Sequence, residues 1–176
     1  KTGLLPGPDA GHSPDFVQRG SLGLNDSGRY EDRWVTLEFD PNSPCIWTKG
    51  MTRMTCPVRH GEGKYIMPTP QALEALSTTH QLTVRYVDPS TPVGEGLSDT
   101  VLPYPMSPNG SMRNVAGICD ATGLVFGLMP HPEANYARWL HPDHTRETAP
   151  AGKGNALDSW EGEGLQMFRN AVEYVK

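Results

Sequence analysis

The 176-residue chain lacks a basic run, a long apolar stretch and any regular cysteine spacing, and each absence removes a class of function. With 15 Lys and Arg against 20 Asp and Glu, its net charge is −5. Sequence-independent binding to nucleic acid needs clustered cations to displace counterions, so nucleic acid is excluded as a partner. Apolar runs extend over a few residues, against roughly 20 for a helix that spans a bilayer, which argues against a membrane. Lys1-Thr2-Gly3-Leu4-Leu5-Pro6-Gly7 breaks into Gly and Pro at once and does not read as a signal peptide. Three cysteines, an odd number without metal-ligand or redox spacing, read as reduced thiols in a cytoplasmic protein.

What is abundant is Gly and Pro. The 19 glycines and 17 prolines make up about a fifth of the chain, against an average usage of about 12%, which predicts short elements and many loops. Residues 1–32 read as loop, with a turn at Asn25-Asp26-Ser27-Gly28. Alternation of Val35, Leu37 and Phe39 predicts a half-buried strand over 33–39, and an ion-pair network of Arg29, Glu31 and Arg33 is expected to anchor it. Short strands are predicted near Cys45–Trp47 and Cys56–Arg59, a helix over 71–77, and a strand over Gln81–Val87. The Pro-rich stretch Asp88–Asn114 reads as a long surface loop. Val115–Ile118 and Leu124–Met129 flank a hairpin turn at Asp120-Ala121-Thr122-Gly123. The second of these strands is apolar on both faces and reads as a covered central strand. Residues 134–161 read as polar loop. The Leu165, Phe168, Val172, Val175 stripe predicts an amphipathic helix over 163–175, packed on the sheet. The class is α/β.

The richest chemistry follows the buried strand, at Met129-Pro130-His131-Pro132-Glu133. A His at the carboxyl end of a strand in an open α/β sheet stands where such folds bind ligands. If the segment stays extended, Glu133 faces the same side, accepts the imidazole N–H and leaves the other nitrogen to serve a nucleophile. That makes two-thirds of a Cys-His-Glu or Ser-His-Glu triad; an ordinary loop His beside a solvated Glu is the alternative. His60-Gly61-Glu62-Gly63 and Ser107-Pro108-Asn109-Gly110-Ser111 are a second pair of candidates, as pocket loops or as plain turns. His141-Pro142-Asp143-His144 has no third ligand at a defined distance and is below the threshold for a metal site.

Gly127-Leu-Met-Pro-His-Pro-Glu133 resembles the His-Pro-Glu signature of class I, triad-type glutamine amidotransferases. Asn25–Arg33, Val58-Arg-His-Gly-Glu-Gly63, Ser107–Ser111 leading to Asn114–Ile118, and Gly162-Glu-Gly-Leu165 follow in one order. Together they resemble the glutamine amidotransferase subunit or domain of phosphoribosylformylglycinamidine synthases, from Lys1 to Lys176. The resemblance implies a flavodoxin-like three-layer fold, of which residues 1–176 would be the C-terminal, strand- and loop-rich portion of one domain. It implies glutamine as substrate and hydrolysis to glutamate and ammonia through a cysteine thioester. It also implies a synthetase partner that uses ATP and magnesium to amidinate formylglycinamide ribonucleotide, with no cofactor on this chain. By motif, His131 would be general base and acid, Glu133 its orienting carboxylate, and His60 and Gly61 neighbours of the glutamine pocket.

One departure stands out. The family's Gly-x-Cys-x-Gly-x-Gln elbow is not in this sequence, so the nucleophile is expected upstream and the chain alone is expected not to turn over glutamine. Gly117-Ile-Cys119-Asp-Ala-Thr-Gly123 imitates an elbow, but a turn and strand follow it where a helix is needed to lower the thiol pKa. Cys45 and Cys56 read as small core residues. A non-catalytic interaction module of the same fold, binding the synthetase, remains the rival, and a cysteine hydrolase using Cys119 a weaker one.

Overall fold

The computed structural model describes residues 3–7, 18–146 and 160–176; parts of the expected loops at 1–32 and 134–161 lie outside them. Strands β1 (Ser21–Gly23) and β4 (Lys64–Ile66) form a small antiparallel ribbon. The main sheet joins β2 (Glu31–Phe39), β3 (Arg53–His60), β5 (Val84–Tyr86), β6 (Val115–Cys119) and β7 (Phe126–Leu128) in the order β3-β2-β5-β6-β7, antiparallel throughout. Helix α1 spans Pro70–Thr78 and α2 spans Leu165–Tyr174.

The strands form where alternation supplies one apolar face. Val35 pairs with Cys56, Leu37 with Met54 and Tyr86, and Phe39 with Val84. These side chains, with Val58, Ala116 and Met167, make one buried cluster onto which Phe126 and Leu128 also pack. The participation of β7 and β3 in one cluster means that the sheet curls. Its two edges meet where the His131 N–H, just past β7, donates to the Pro57 carbonyl of β3 at 2.8 Å. A second cluster joins Val115, Ile118, Tyr65 and Leu82 to Leu73 and Leu76 of α1. That helix starts at Thr69, whose side chain accepts from Ala72 N at 3.1 Å, with Pro70 in the first turn.

Four sequence expectations are corrected. Cys45–Trp47 is not a strand: Ile46–Thr48 is a 3-10 turn, closed beneath the hairpin by Ile46 N donating to Gly123 O. β7 is the edge of the five-stranded sheet and half-buried, because continuous apolar sequence does not distinguish a central strand from a curled edge. The stretch 88–114 is no mere surface loop. Asn109, Ser111 and Asn114 are buried, and the Asn114 amide serves Leu102 N and Thr100 O at 2.7 Å each in place of a backbone ladder. On α2 the buried residue is Met167, whereas Phe168, Val172 and Val175 of the expected stripe are exposed by 39, 53 and 79%. The rotation follows from Asn170, whose amide donates to both Trp47 O and Lys49 O at 2.9 Å and turns the Met167 side inward.

Candidate active site

The β6–β7 hairpin delivers the principal candidate. Its turn holds Gly123 at φ +72°, where a Cβ would lie 2.1 Å from Pro44 O. The Asp120 carboxylate accepts from Val125 N at 3.0 Å and from the Thr122 hydroxyl at 2.6 Å. Pairing continues through Met129 N to Ala116 O and stops at Pro130, which has no N–H. His131 is then fixed on β3, and Pro132–Asn135 forms a 3-10 turn with Ala134 N on His131 O. The segment expected to be extended is thus a tight turn. It still places His131 Nδ1 2.6 Å from Glu133 Oε1.

The carboxylate therefore receives the Nδ1 proton and leaves Nε2 as the acceptor in the neutral ring. Among the described residues Nε2 makes no hydrogen bond. Both side chains reach solvent, His131 by 37% and Glu133 by 60%. His131 lines a cavity of about 260 Å³ with Trp47, Phe126, Leu128, Met167 and Phe168. Its apolar walls were not foreseen in the sequence, because α2 and the Ile46–Thr48 turn reach it only through tertiary packing.

The thiols lie elsewhere. Cys45, Cys56 and Cys119 are all free and buried. Burial pushes the Cys56 thiol up, and the charges of Glu133 and Glu163 push it further, so it stays protonated. Cys119 receives a hydrogen bond from Cys45, which draws it down while holding the Cys45 proton in place. Its sulfur is closed in by Ser43 and Thr83. It sits at the turn end of the β6–β7 hairpin, whereas His131 leaves from the open end.

The loop at His60 is organised by a buried network. Asn25 Oδ1 accepts from His60 Nδ1 at 3.0 Å and from Gly63 N at 3.1 Å, and the Asn25 amide donates to His60 O at 2.8 Å. Asn109 approaches His60 Nε2 at 3.4 Å and donates to Gly63 O at 2.9 Å. The absence of a Gly63 side chain is required, since a Cβ would lie 2.4 Å from the His60 ring. Burial pushes the imidazole down, with a cationic His131 acting in the same direction, so the two rings sense each other. The side chain of His60 is thus enclosed, while Gly61 is half-buried at the loop surface beneath Tyr30. Asn109 and Ser111, from the second candidate loop, act as the inner scaffold of the first.

Of the expected ion-pair network, Glu31 and Arg33 pair directly and Ser27 donates to Glu31 at 2.6 Å, while Arg29 contributes through its carbonyl to Asn25. Burial raises the Glu31 carboxyl, but the hydrogen bonds from Ser27 and Arg33 outweigh it and leave the group below its usual range. In His141-Pro142-Asp143-His144, His141 accepts from Asp143 N at Nδ1 and meets the Thr55 hydroxyl at Nε2, both as part of local packing. No group of three or more His, Cys, Asp or Glu among the described residues is placed to hold a metal ion. No helix among them is long and apolar enough to cross a membrane.

A family model for the CobB/CobQ-like glutamine amidotransferase domain matches residues 1–175. The chain belongs to this family. It is 36% identical over 176 residues to the phosphoribosylformylglycinamidine synthase subunit PurQ of Dehalococcoides mccartyi, covering all of this chain and 59% of that relative. A PurQ of Methanococcus maripaludis is 35% identical over 92% of this chain and 57% of its own length. The chain therefore spans somewhat more than half the length of the curated relatives it matches. The fold is similar to the solved structure of PurLQS from Thermotoga maritima, with a TM-score of 0.55 and 22% identity over 91% of this chain and 55% of that one. The architecture is the α/β fold of class I glutamine amidotransferases.

Proposed function

We propose that this amidotransferase chain supplies the acid–base pair of a glutaminase serving phosphoribosylformylglycinamidine synthase in purine biosynthesis. The observation that carries the reading is the 2.6 Å contact between His131 Nδ1 and Glu133 Oε1, with Nε2 left as an acceptor. The names of the PurQ relatives supply the substrate class and pathway. In this reading Nε2 of His131 takes the proton of a cysteine thiol, and the thiolate attacks the side-chain carboxamide of glutamine. The same proton passes to the departing ammonia, and water then cleaves the thioester to glutamate, with Glu133 steadying the imidazolium. Burial of the three thiols supports a nucleophile outside the region described, in the part of the whole protein that the relatives possess beyond this match. Because His60 is enclosed, contact of its loop with glutamine falls to the backbone around Gly61.

The PurQ relatives and the likeness to the PurLQS structure support a synthetase partner; in this reading ATP and magnesium act at that partner and the described acid–base pair works without a cofactor. Three unbridged thiols support a cytoplasmic setting. The test is ammonia release from glutamine by the complete protein with its synthetase. His131→Asn is expected to lower kcat by at least about 10²- to 10⁴-fold. Unimpaired turnover by a folded His131→Asn protein would sink the reading. The present chain alone is expected to release no ammonia.

A further inference from the structure

Glu133 has one hydrogen-bond partner among the described residues, His131, and its side chain is well exposed. Nothing beside the carboxylate fixes it, so its aim is set by the backbone of the turn that carries it. That turn is held from two sides. β3 is an edge strand, and edge strands carry a row of backbone groups that the sheet leaves unpaired. Here the row is capped by the site itself. Pro57 O accepts from His131 N at 2.8 Å, and Thr55 O accepts from the buried Asn135 side chain at 2.9 Å. The two ends of the His131–Asn135 segment are thereby tied to alternate residues of one strand.

The outer side is closed by the approach to α2. Glu163 Oε2 accepts from Thr55 N at 2.9 Å and from the Thr55 hydroxyl at 3.1 Å, filling the remaining donors at that position. Next to it, Gly164 N donates to Asn135 O at 2.9 Å. A Cβ on Gly164 would lie 2.1 Å from Pro132 O and 2.9 Å from Asn135 O, the two ends of the 3-10 turn. Backbone cannot yield there as a flexible side chain can. Glycine is required at this point because the chain lies flat on the carbonyls of the turn.

We infer that Asn135, Glu163 and Gly164 are positioning residues for the acid–base pair, clamping the Pro132–Asn135 turn between the edge of β3 and the start of α2 so that Glu133 meets His131 Nδ1. The inference rests on the amidotransferase reading of His131 and Glu133. Misplacement of a catalytic group by about 1 Å costs up to about 100-fold in rate, so a loosened clamp acts on kcat. None of the three residues lines the cavity beside His131 or belongs to the His60–Gly63 loop to which glutamine contact is assigned above, so substrate binding is little affected.

The experiment uses the complete protein with its synthetase and the variants Gly164→Ala, Asn135→Ala and Glu163→Ala, each checked for folding by circular dichroism and melting. Two quantities are read: glutaminase kcat and KM, and the ¹⁵N spectrum of the His131 ring, which reports the protonated nitrogen without turnover. The clamp predicts kcat lowered about 10- to 100-fold at near-normal KM, with the ring nitrogen signals moving away from the Nδ1–H form. Folded variants with normal kcat and an unchanged His131 spectrum would overturn it. Should Gly164→Ala fail to fold, Asn135→Ala and Glu163→Ala carry the same two readouts. Full activity in His131→Asn would refute the amidotransferase reading, whereas the ring spectrum would still decide the clamp.

Discussion

Asn25 and His60 meet inside the protein with Asn25 Oδ1 3.0 Å from His60 Nδ1, and this contact assigns the neutral ring its proton. The other nitrogen faces the Asn109 amide, a donor, so a second ring proton would point at a donor. Burial pushes the His60 pKa below its usual 6.5. For a group depressed on folding, stability is fully present above the unfolded pKa and falls as pH drops through the folded value. Urea midpoints should therefore decline as pH is lowered below about 6.5, well before the low-lying carboxyl of Glu31 titrates. In His60→Gln the decline just below pH 6.5 should be absent; its persistence would show that another group is responsible.

Glu38 and Arg53 form a second buried relationship, on the opposite face of β2 from Leu37. Glu38 is 2% exposed, accepts from Arg53 Nε at 3.2 Å and from Gly96 N at 3.0 Å, while Arg53 also donates to Thr91 O at 2.6 Å. The pair ties the 91–96 loop to the sheet. Removing one partner of a buried pair leaves a desolvated charge, so Glu38→Ala should cost about 3–5 kcal/mol. Equilibrium denaturation measures it, and a cost below about 1 kcal/mol, the range of an exposed pair, would refute the burial argument.

The rotated face of α2 makes a paired prediction. Met167→Ala removes a side chain that closes the main cluster and should destabilise by about 2–5 kcal/mol. Val172→Ser lies in the exposed stripe and should change stability by no more than about 0.5 kcal/mol. Thermal melts of the two variants rank them directly; the reverse order would restore the face that periodicity implied.

Much of this architecture is legible from local pattern. Val35, Leu37 and Phe39 alternate and are buried, Asp120–Gly123 turns as its composition dictates, and the helix expected over 71–77 lies within α1. His131 and Glu133 are also readable as a pair, since residues so close in sequence need only one turn of suitable shape. What local pattern does not contain is the partner of each face. Met167 is inward and Phe168 outward because Asn170 captures two carbonyls of a turn over a hundred residues earlier. Asn109 and His60 sit in separate motifs, and only the folded chain makes them neighbours. The edge position of β7 belongs to the same class, because curling is a property of the whole sheet.

The seam between the two sheet edges couples the closure of the sheet to the placement of the proposed acid–base pair. The groups that close it, His131 N on Pro57 O and Asn135 on Thr55 O, are the same ones that hold the acid–base turn. A local opening that frees the β3 edge dismantles the pair in the same event. On the proposed acid–base reading of His131 and Glu133, a molecule whose sheet is open at this seam would lack a positioned pair even while its core clusters remained packed.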